Sequence, residues 1–189
     1  MILPITVYGH PTLKKVAKDI DKDYPELNTL IENMFDTMNN TGHGIGLAAP
    51  QINKSIRLFV IDARDLEDHF PEAKDFKKVF INAKITEYGD ETDVIEEGCL
   101  SIPGLGEDVE RPTKIKITYM NENWEQQEEV FEGYLARVVQ HEYDHIEGKV
   151  YVDRIAPLRK MLIKKKLRNI SLGKINPGYR IITPQIRKK

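Results

Sequence analysis

Cysteine and long apolar runs are what this sequence has least of. A single cysteine, Cys99, stands among 189 residues, so no disulfide can close within the chain. The fold must then rely on its core and on any metal it holds, which suits a reducing cytoplasm. The longest uninterrupted apolar stretch is four residues, 58–61. A membrane-spanning helix needs about 20 and a secretory signal core about 7 to 15, so both readings fail and a cytoplasmic protein without membrane contact is expected. With 40% hydrophobic and 31% charged residues, the chain is apolar enough to build one domain core and too apolar for wholesale disorder.

Acidic residues are missing from one whole segment. Residues 156–189 hold eleven Lys or Arg and no Asp or Glu, whereas residues 1–155 hold 17 basic and 30 acidic residues and carry a net charge of -13. This divides the chain into an acidic body, 1–155, and a basic C-terminal segment, 156–189. Such a sign difference points to a polyanionic partner for the tail.

Local patterns predict an α+β fold. Leu27, Leu30, Ile31, Met34, Phe35 and Met38 recur at helical spacing and predict a helix over 23–40, with Pro25 in its first turn. Short branched or aromatic runs predict strands at 56–61, 78–85, 114–120 and 128–131, with the Gly-rich segment 41–51 as a loop or short irregular strand. Helical periodicity returns at 133–146, capped by Gly148, and again at 157–172, between Pro157 and Gly173. Strands grouped between helices, without βαβ alternation, indicate mixed or antiparallel short strands around one central helix, followed by a C-terminal helix.

That central helix carries His141-Glu142-Tyr143-Asp144-His145, an H-E-x-x-H pattern. Four residues at about 100° each bring both imidazoles to one helix face, one turn apart, as two ligands of one metal require. Glu142 lies beside the pair, within reach of a water that it could deprotonate. A catalytic site needs a third protein ligand; another His, a carboxylate or Cys99, in Glu97-Gly98-Cys99-Leu100-Ser101, are the candidates. In the segment from Gly44 to Gln51, small residues permit close approach of another backbone, and Gln51 could offer an amide N–H to a developing oxyanion.

In this order and spacing, GIGLAAPQ at 44–51, EGCLS at 97–101 and HEYDH at 141–145 resemble the three signature motifs of the peptide deformylase family. The likeness covers roughly residues 1–155. It implies an α+β metallohydrolase that removes the N-formyl group from the initiating methionine of nascent polypeptides. It further implies Cys99, His141 and His145 as metal ligands, Glu142 as general acid and base, and Gln51 with the Leu100 N–H as oxyanion donors. The implied metal is one divalent ion, iron(II) first, with zinc, nickel or cobalt able to take its place. Main-chain groups of Ile45, Gly46 and Gly98 would bind the substrate peptide as an added strand. The methionine pocket is expected to be lined by Ile45, Ile95, Tyr134 and Val138, with the Arg137 stem at its edge; Tyr134, Arg137 and Val138 share the face of His141. Gly106 stands where many relatives carry a bulkier rim residue.

The resemblance also implies that the C-terminal helix docks on the ribosome. Leu158, Met161, Leu162 and Leu167 would lie on the body while Arg159, Lys160, Lys164, Lys165 and Arg168 face rRNA. A monomer is expected. Two rival readings compete with this one. An H-E-x-x-H peptidase would need a downstream ligand, for which only Glu147 and Asp153 are available. A non-catalytic peptide- or ribosome-binding protein would need neither Glu142 nor Gln51. His10, His43 and His69 fall outside the motifs and are read as exposed or capping residues.

Overall fold

The apolar run at 58–61 is buried on both sides. In a computed structural model, which describes residues 1–42 and 44–184, it lies in strand β3 of a five-stranded antiparallel sheet. The elements run β1 (Ile5–Thr6), α1 (Leu27–Asn40), β2 (Gly46–Ala48), β3 (Leu58–Asp62), β4 (Lys77–Tyr88), β5 (Thr92–Glu97), β6 (Glu107–Pro112), β7 (Lys114–Met120), β8 (Gln126–Glu132), α2 (Gly133–Ile146), α3 (Pro157–Leu162), α4 (Lys164–Ser171) and β9 (Ile181–Ile182). The main sheet has the order β2-β3-β4-β7-β8; β5 and β6 form a separate hairpin, and β1 pairs in parallel with β9.

Side chains alternate across a strand. Phe59 and Ile61 therefore join Phe80, Ile117, Leu135 and Val139 in a core beneath α2, while Leu58 and Val60 join Leu30, Met34 and Ile81 beneath α1. A strand covered by a helix on each face has no polar side to show, which accounts for the unbroken run. No helix among the described residues is long and apolar enough to cross a membrane.

The α+β class holds, and α2 spans the residues that the spacing predicts. Gly148, at φ +71°, ends that helix pressed against the Lys14 backbone, where a Cβ would stand 2.9 Å from the Lys14 carbonyl carbon. Other expectations need correction. The first helix begins at Leu27, because Glu26 takes a left-handed conformation (φ 53°) that leaves Pro25 outside it. The β5–β6 hairpin was not foreseen, since its buried positions include Glu97, Glu107 and Arg111 and show no apolar alternation.

The helix expected over 157–172 breaks at Ile163 into α3 and α4. The break changes which side packs: Ile163, Leu167 and Ile170 are buried, while Leu158, Met161 and Leu162 are 63%, 63% and 67% exposed. Arg159 and Lys160 are tied to Glu107 and Asp153, at 2.6 and 2.8 Å, leaving Lys164, Lys165, Lys166 and Arg168 exposed. Beyond α4 the chain returns to the body and places β9 beside β1. His43 and the last basic residues, Arg187, Lys188 and Lys189, lie outside the described residues. His10 caps a short turn by accepting the Thr12 N–H, at 3.3 Å.

Candidate active site

Helix α2 crosses behind β2 and turns His141, Glu142 and His145 toward the loop that follows β5. Cys99 lies on that loop, and one donor atom from each of Cys99, His141 and His145 falls within 4.8 Å of the others. Cys99 Sγ is 3.3 Å from His145 Nε2. Burial opposes ionisation of the thiol, yet the adjacent His145 and His141 outweigh it and bring Cys99 down to about 5. A half-buried thiolate beside two imidazoles is a donor set that fits a first-row divalent cation. Glu147 and Asp153 stand apart from this cluster, paired with Arg57 at 2.7 Å and with Lys160 at 2.8 Å. A zincin-type downstream ligand is therefore not formed by either residue.

Behind the donors lies a buried ionic network that motif reading did not foresee. Glu97 accepts from Arg111 Nε and Nη2, at 2.5 and 2.9 Å, and from Arg137 Nη1, at 2.8 Å. Its Oε2 is 2.8 Å from His141 Nδ1, which leaves Nε2 of that ring as the available donor. Burial works against a charge on Glu97, but Arg111 and His141 hold its carboxyl far below the usual range. Arg111 also reaches Asp144, at 2.8 Å, and Asp144 takes both Nε and Nη2 of Arg154 at 2.5 Å each. Glu97 and Asp144 sit inside the EGCLS and HEYDH motifs and could have been read from them. Arg111 and Arg154 carry no local signal, because only the fold brings them near.

Glu142 is 4% exposed, and its Oε2 has no hydrogen-bond partner among the described residues. Burial is the main cause that pushes its carboxyl up to about 7. The fit against β2 is close: a Cβ at Gly46 would collide with the Glu142 carboxylate, so glycine is required there by proximity. Gln51 is fixed by its Oε1, which accepts the Ala48 N–H at 2.8 Å. Its Nε2 then points to Ser101 Oγ and Cys99 Sγ, at 3.3 and 3.5 Å. Leu100 lies in a tight turn closed by the Ile102 N–H donating to Cys99 C=O, at 2.9 Å.

These groups open onto a cleft of about 720 Å³. Ile45, Gly46, Gly98, Leu100, Tyr134 and Val138 all line it. Tyr134 is stacked on Phe70 with ring centroids 4.1 Å apart, which holds one wall stiff. Three expectations change. Ile95 is not among the lining residues; it pairs with Val109 two residues before Glu97, about 7 Å further along the strand. Arg137 lines the cleft but does not snorkel: it is 3% exposed, with its guanidinium held by Glu97, Asp93 and Val109 C=O. Gly106 is off the rim, packed against the Glu96 side chain, and the rim is formed by Pro103 and Gly104. The fourth side, Ile175, Asn176, Pro177 and Tyr179, comes from the C-terminal segment and was not anticipated, since long-range return of the chain leaves no mark in a local pattern.

Residues 2–161 match the family described as polypeptide deformylase. The chain is 52% identical to the peptide deformylase of Christiangramia forsetii, with 100% of this chain and 99% of the relative covered. It is 48% identical to that of Flavobacterium psychrophilum, over 96% of each. Among solved structures, the peptide deformylase from Legionella pneumophila superposes with a TM-score of 0.79 at 36% identity, covering 92% of this chain and 98% of the other. That from Thermotoga maritima gives 0.74 at 42% identity, over 83% and 99%. On these findings together with the site geometry, the chain belongs to the polypeptide deformylase family, metal-dependent hydrolases that remove the N-formyl group from nascent peptides.

Proposed function

We propose that the cleft hydrolyses the formyl amide of peptides beginning with N-formylmethionine, with Cys99, His141 and His145 holding one divalent cation and Glu142 moving the proton. The observation that carries this reading is a buried carboxylate oxygen without a partner, Glu142 Oε2, in the same cleft as three convergent metal donors. The cation supplies a Lewis acid and makes a water acidic enough to attack near neutral pH. Iron(II) is the proposed resident; zinc, nickel and cobalt suit the same donors.

Glu142 takes one proton from the attacking water and returns it to the methionine nitrogen as the C–N bond breaks. A carboxyl raised to about 7 by burial is well matched to both transfers. Gln51 Nε2 and the Leu100 N–H donate to the formyl oxygen as charge develops on it, and removal of one such donor typically costs about 3 kcal/mol. Among the described residues β2 is an edge strand, paired only with β3, so the main chain of Ile45 and Gly46 has a free side on which the substrate adds as a further strand, with Gly98 opposite. The methionine side chain lies among Ile45, Tyr134 and Val138, alongside the Arg137 stem.

Release of formate from formyl-Met-Ala-Ser by anaerobically purified, iron-loaded protein tests the activity directly. The ligand set has its own check. Cobalt-substituted protein should show a sulfur-to-metal absorption band that disappears in Cys99→Ser, along with weakened metal retention; an identical band in both proteins rules Cys99 out as a ligand.

The substrates emerge at ribosomes in the cytoplasm, and the basic end of the chain docks the enzyme there on rRNA. Lys164, Lys165, Lys166 and Arg168 are its exposed contacts. Replacing these four by Gln should abolish co-sedimentation with ribosomes at low salt, while the wild type is released as salt rises. Equal pelleting of both proteins at every salt concentration would remove the docking role.

A further inference from the structure

The turn that presents the Leu100 N–H is clamped from both ends of the chain. Ser101 C=O accepts the Tyr8 N–H at 2.8 Å, just after β1. Leu100 C=O accepts the Tyr179 hydroxyl at 2.7 Å, two residues before β9. The two clamps are themselves joined, because Ile5 N–H donates to Arg180 C=O at 2.8 Å and Val7 N–H to Ile182 C=O at 3.0 Å. Tyr179 and Leu100 both pack against the core cluster beneath α1, and Tyr179 lines the cleft. Burial, with Cys99 nearby, holds its hydroxyl well above the usual tyrosine range, so it stays a donor.

The peptide that carries the Leu100 N–H is held on one side by the Ile102 N–H, which donates to Cys99 C=O at 2.9 Å, and the next peptide is held by the Tyr179 hydroxyl on Leu100 C=O. The N–H and C=O of Leu100 belong to two rigid peptide planes hinged at its Cα. Anchoring the C=O therefore limits where the N–H points.

We propose that Tyr179 is a positioning residue for deformylation: its hydrogen bond to Leu100 C=O holds the turn so that the Leu100 N–H faces the reacting formyl oxygen, which makes the C-terminal segment part of the working site. The proposal rests on the reading of Leu100 as an oxyanion donor. Tyr179 touches no reacting atom. Its effect comes through alignment, and a displaced donor forfeits part of the 10²- to 10³-fold that a whole one supplies.

Tyr179→Phe removes the hydroxyl and keeps the ring. In the full-length iron enzyme, kcat for formyl-Met-Ala-Ser should fall roughly tenfold, with KM within about twofold and metal content and melting temperature unchanged. Tyr179→Leu, which also drops the ring, is a second variant and should show at least the same loss in kcat. A binding readout separates alignment from general structure. A methionyl peptide bearing a tetrahedral H-phosphonate at the formyl position should bind Tyr179→Phe about tenfold more weakly, whereas the product Met-Ala-Ser should bind both proteins equally. Full kcat in Tyr179→Phe, or equal loss of affinity for phosphonate and product, overturns the proposal. Glu142→Gln is measured beside it: a wild type without formate release, or an active Glu142→Gln, defeats the underlying reading, while an unimpaired Tyr179→Phe against a normal wild type and an inactive Glu142→Gln defeats this inference alone.

Discussion

Replacing Glu142 by glutamine is expected to lower kcat for formyl-Met-Ala-Ser by roughly 10²- to 10⁴-fold while the protein keeps its metal and its fold. The substitution preserves shape, which matters because the side chain fills the space left by Gly46 and a longer group would not fit. It removes a buried carboxylate oxygen in the cleft that has no hydrogen-bond partner among the described residues. Folding should be little affected. Burial already disfavours the charged form of Glu142, and among the described residues it forms no ion pair that a neutral amide would lose. Steady-state kinetics with metal analysis of the same samples decides the matter. A metal-loaded Glu142→Gln with near-normal kcat would mean that the proton travels by another route.

A second large effect is expected at Glu97, although it touches neither water nor substrate in the proposed mechanism. Glu97→Ala should destabilise the protein by about 3–5 kcal/mol, because Arg111, fully buried, and Arg137 would keep their charges with this partner removed. Metal affinity should also drop by roughly 10- to 100-fold, since His141 loses the carboxylate that fixes its tautomer and ring plane. Urea unfolding of the metal-free protein measures the first effect and competition with a chelator the second; a stable variant with unaltered affinity would show the network to be dispensable.

The same carboxylates set an acid limit. Glu97 and Asp144 are both buried, which alone would raise them, but their arginine partners win and depress both in the folded state. The unfolded chain thus binds protons more readily than the native one as pH falls. Their contribution is fully present above the ordinary carboxylate range of about 4 and is lost progressively as pH falls below it toward the depressed folded values.

How much of this could be read from the residues depended on how far apart the partners lie in the chain. His141 and His145 were legible because four residues of helix place them on one face, and α2 forms where its periodicity says. Cys99, Gln51, Ile45, Gly46, Tyr134 and Val138, which all line the cleft, were singled out by the resemblance of the three motifs to a known family and not by spacing alone. Arg111 was not legible in this way, because its partners Glu97 and Asp144 lie 14 and 33 residues away: the β5–β6 hairpin, whose buried side is charged, brings in Glu97, and the packing of α2 brings in Asp144. The packed side of the C-terminal helix was misread for another reason. Its apolar spacing was followed as one phase, but the break at Ile163 gives α4 its own register and turns Leu158, Met161 and Leu162 outward. The return of residues 175–179 to the cleft leaves no periodic trace at all.

The parallel pairing of residues 5–6 with 181–182 spans nearly the whole chain and carries a consequence for the enzyme's own synthesis. Closing so long a loop is entropically the most demanding step of the fold, and contacts of such high sequence separation form late. The sheet, α2 and the metal donors can assemble while the chain is still being made, but the last cleft wall and the tyrosine clamp on the Leu100 turn cannot be in place until residue 182 has left the ribosome. A nascent copy of this protein is therefore built with an incomplete cleft until residues 175–182 have emerged and paired with β1.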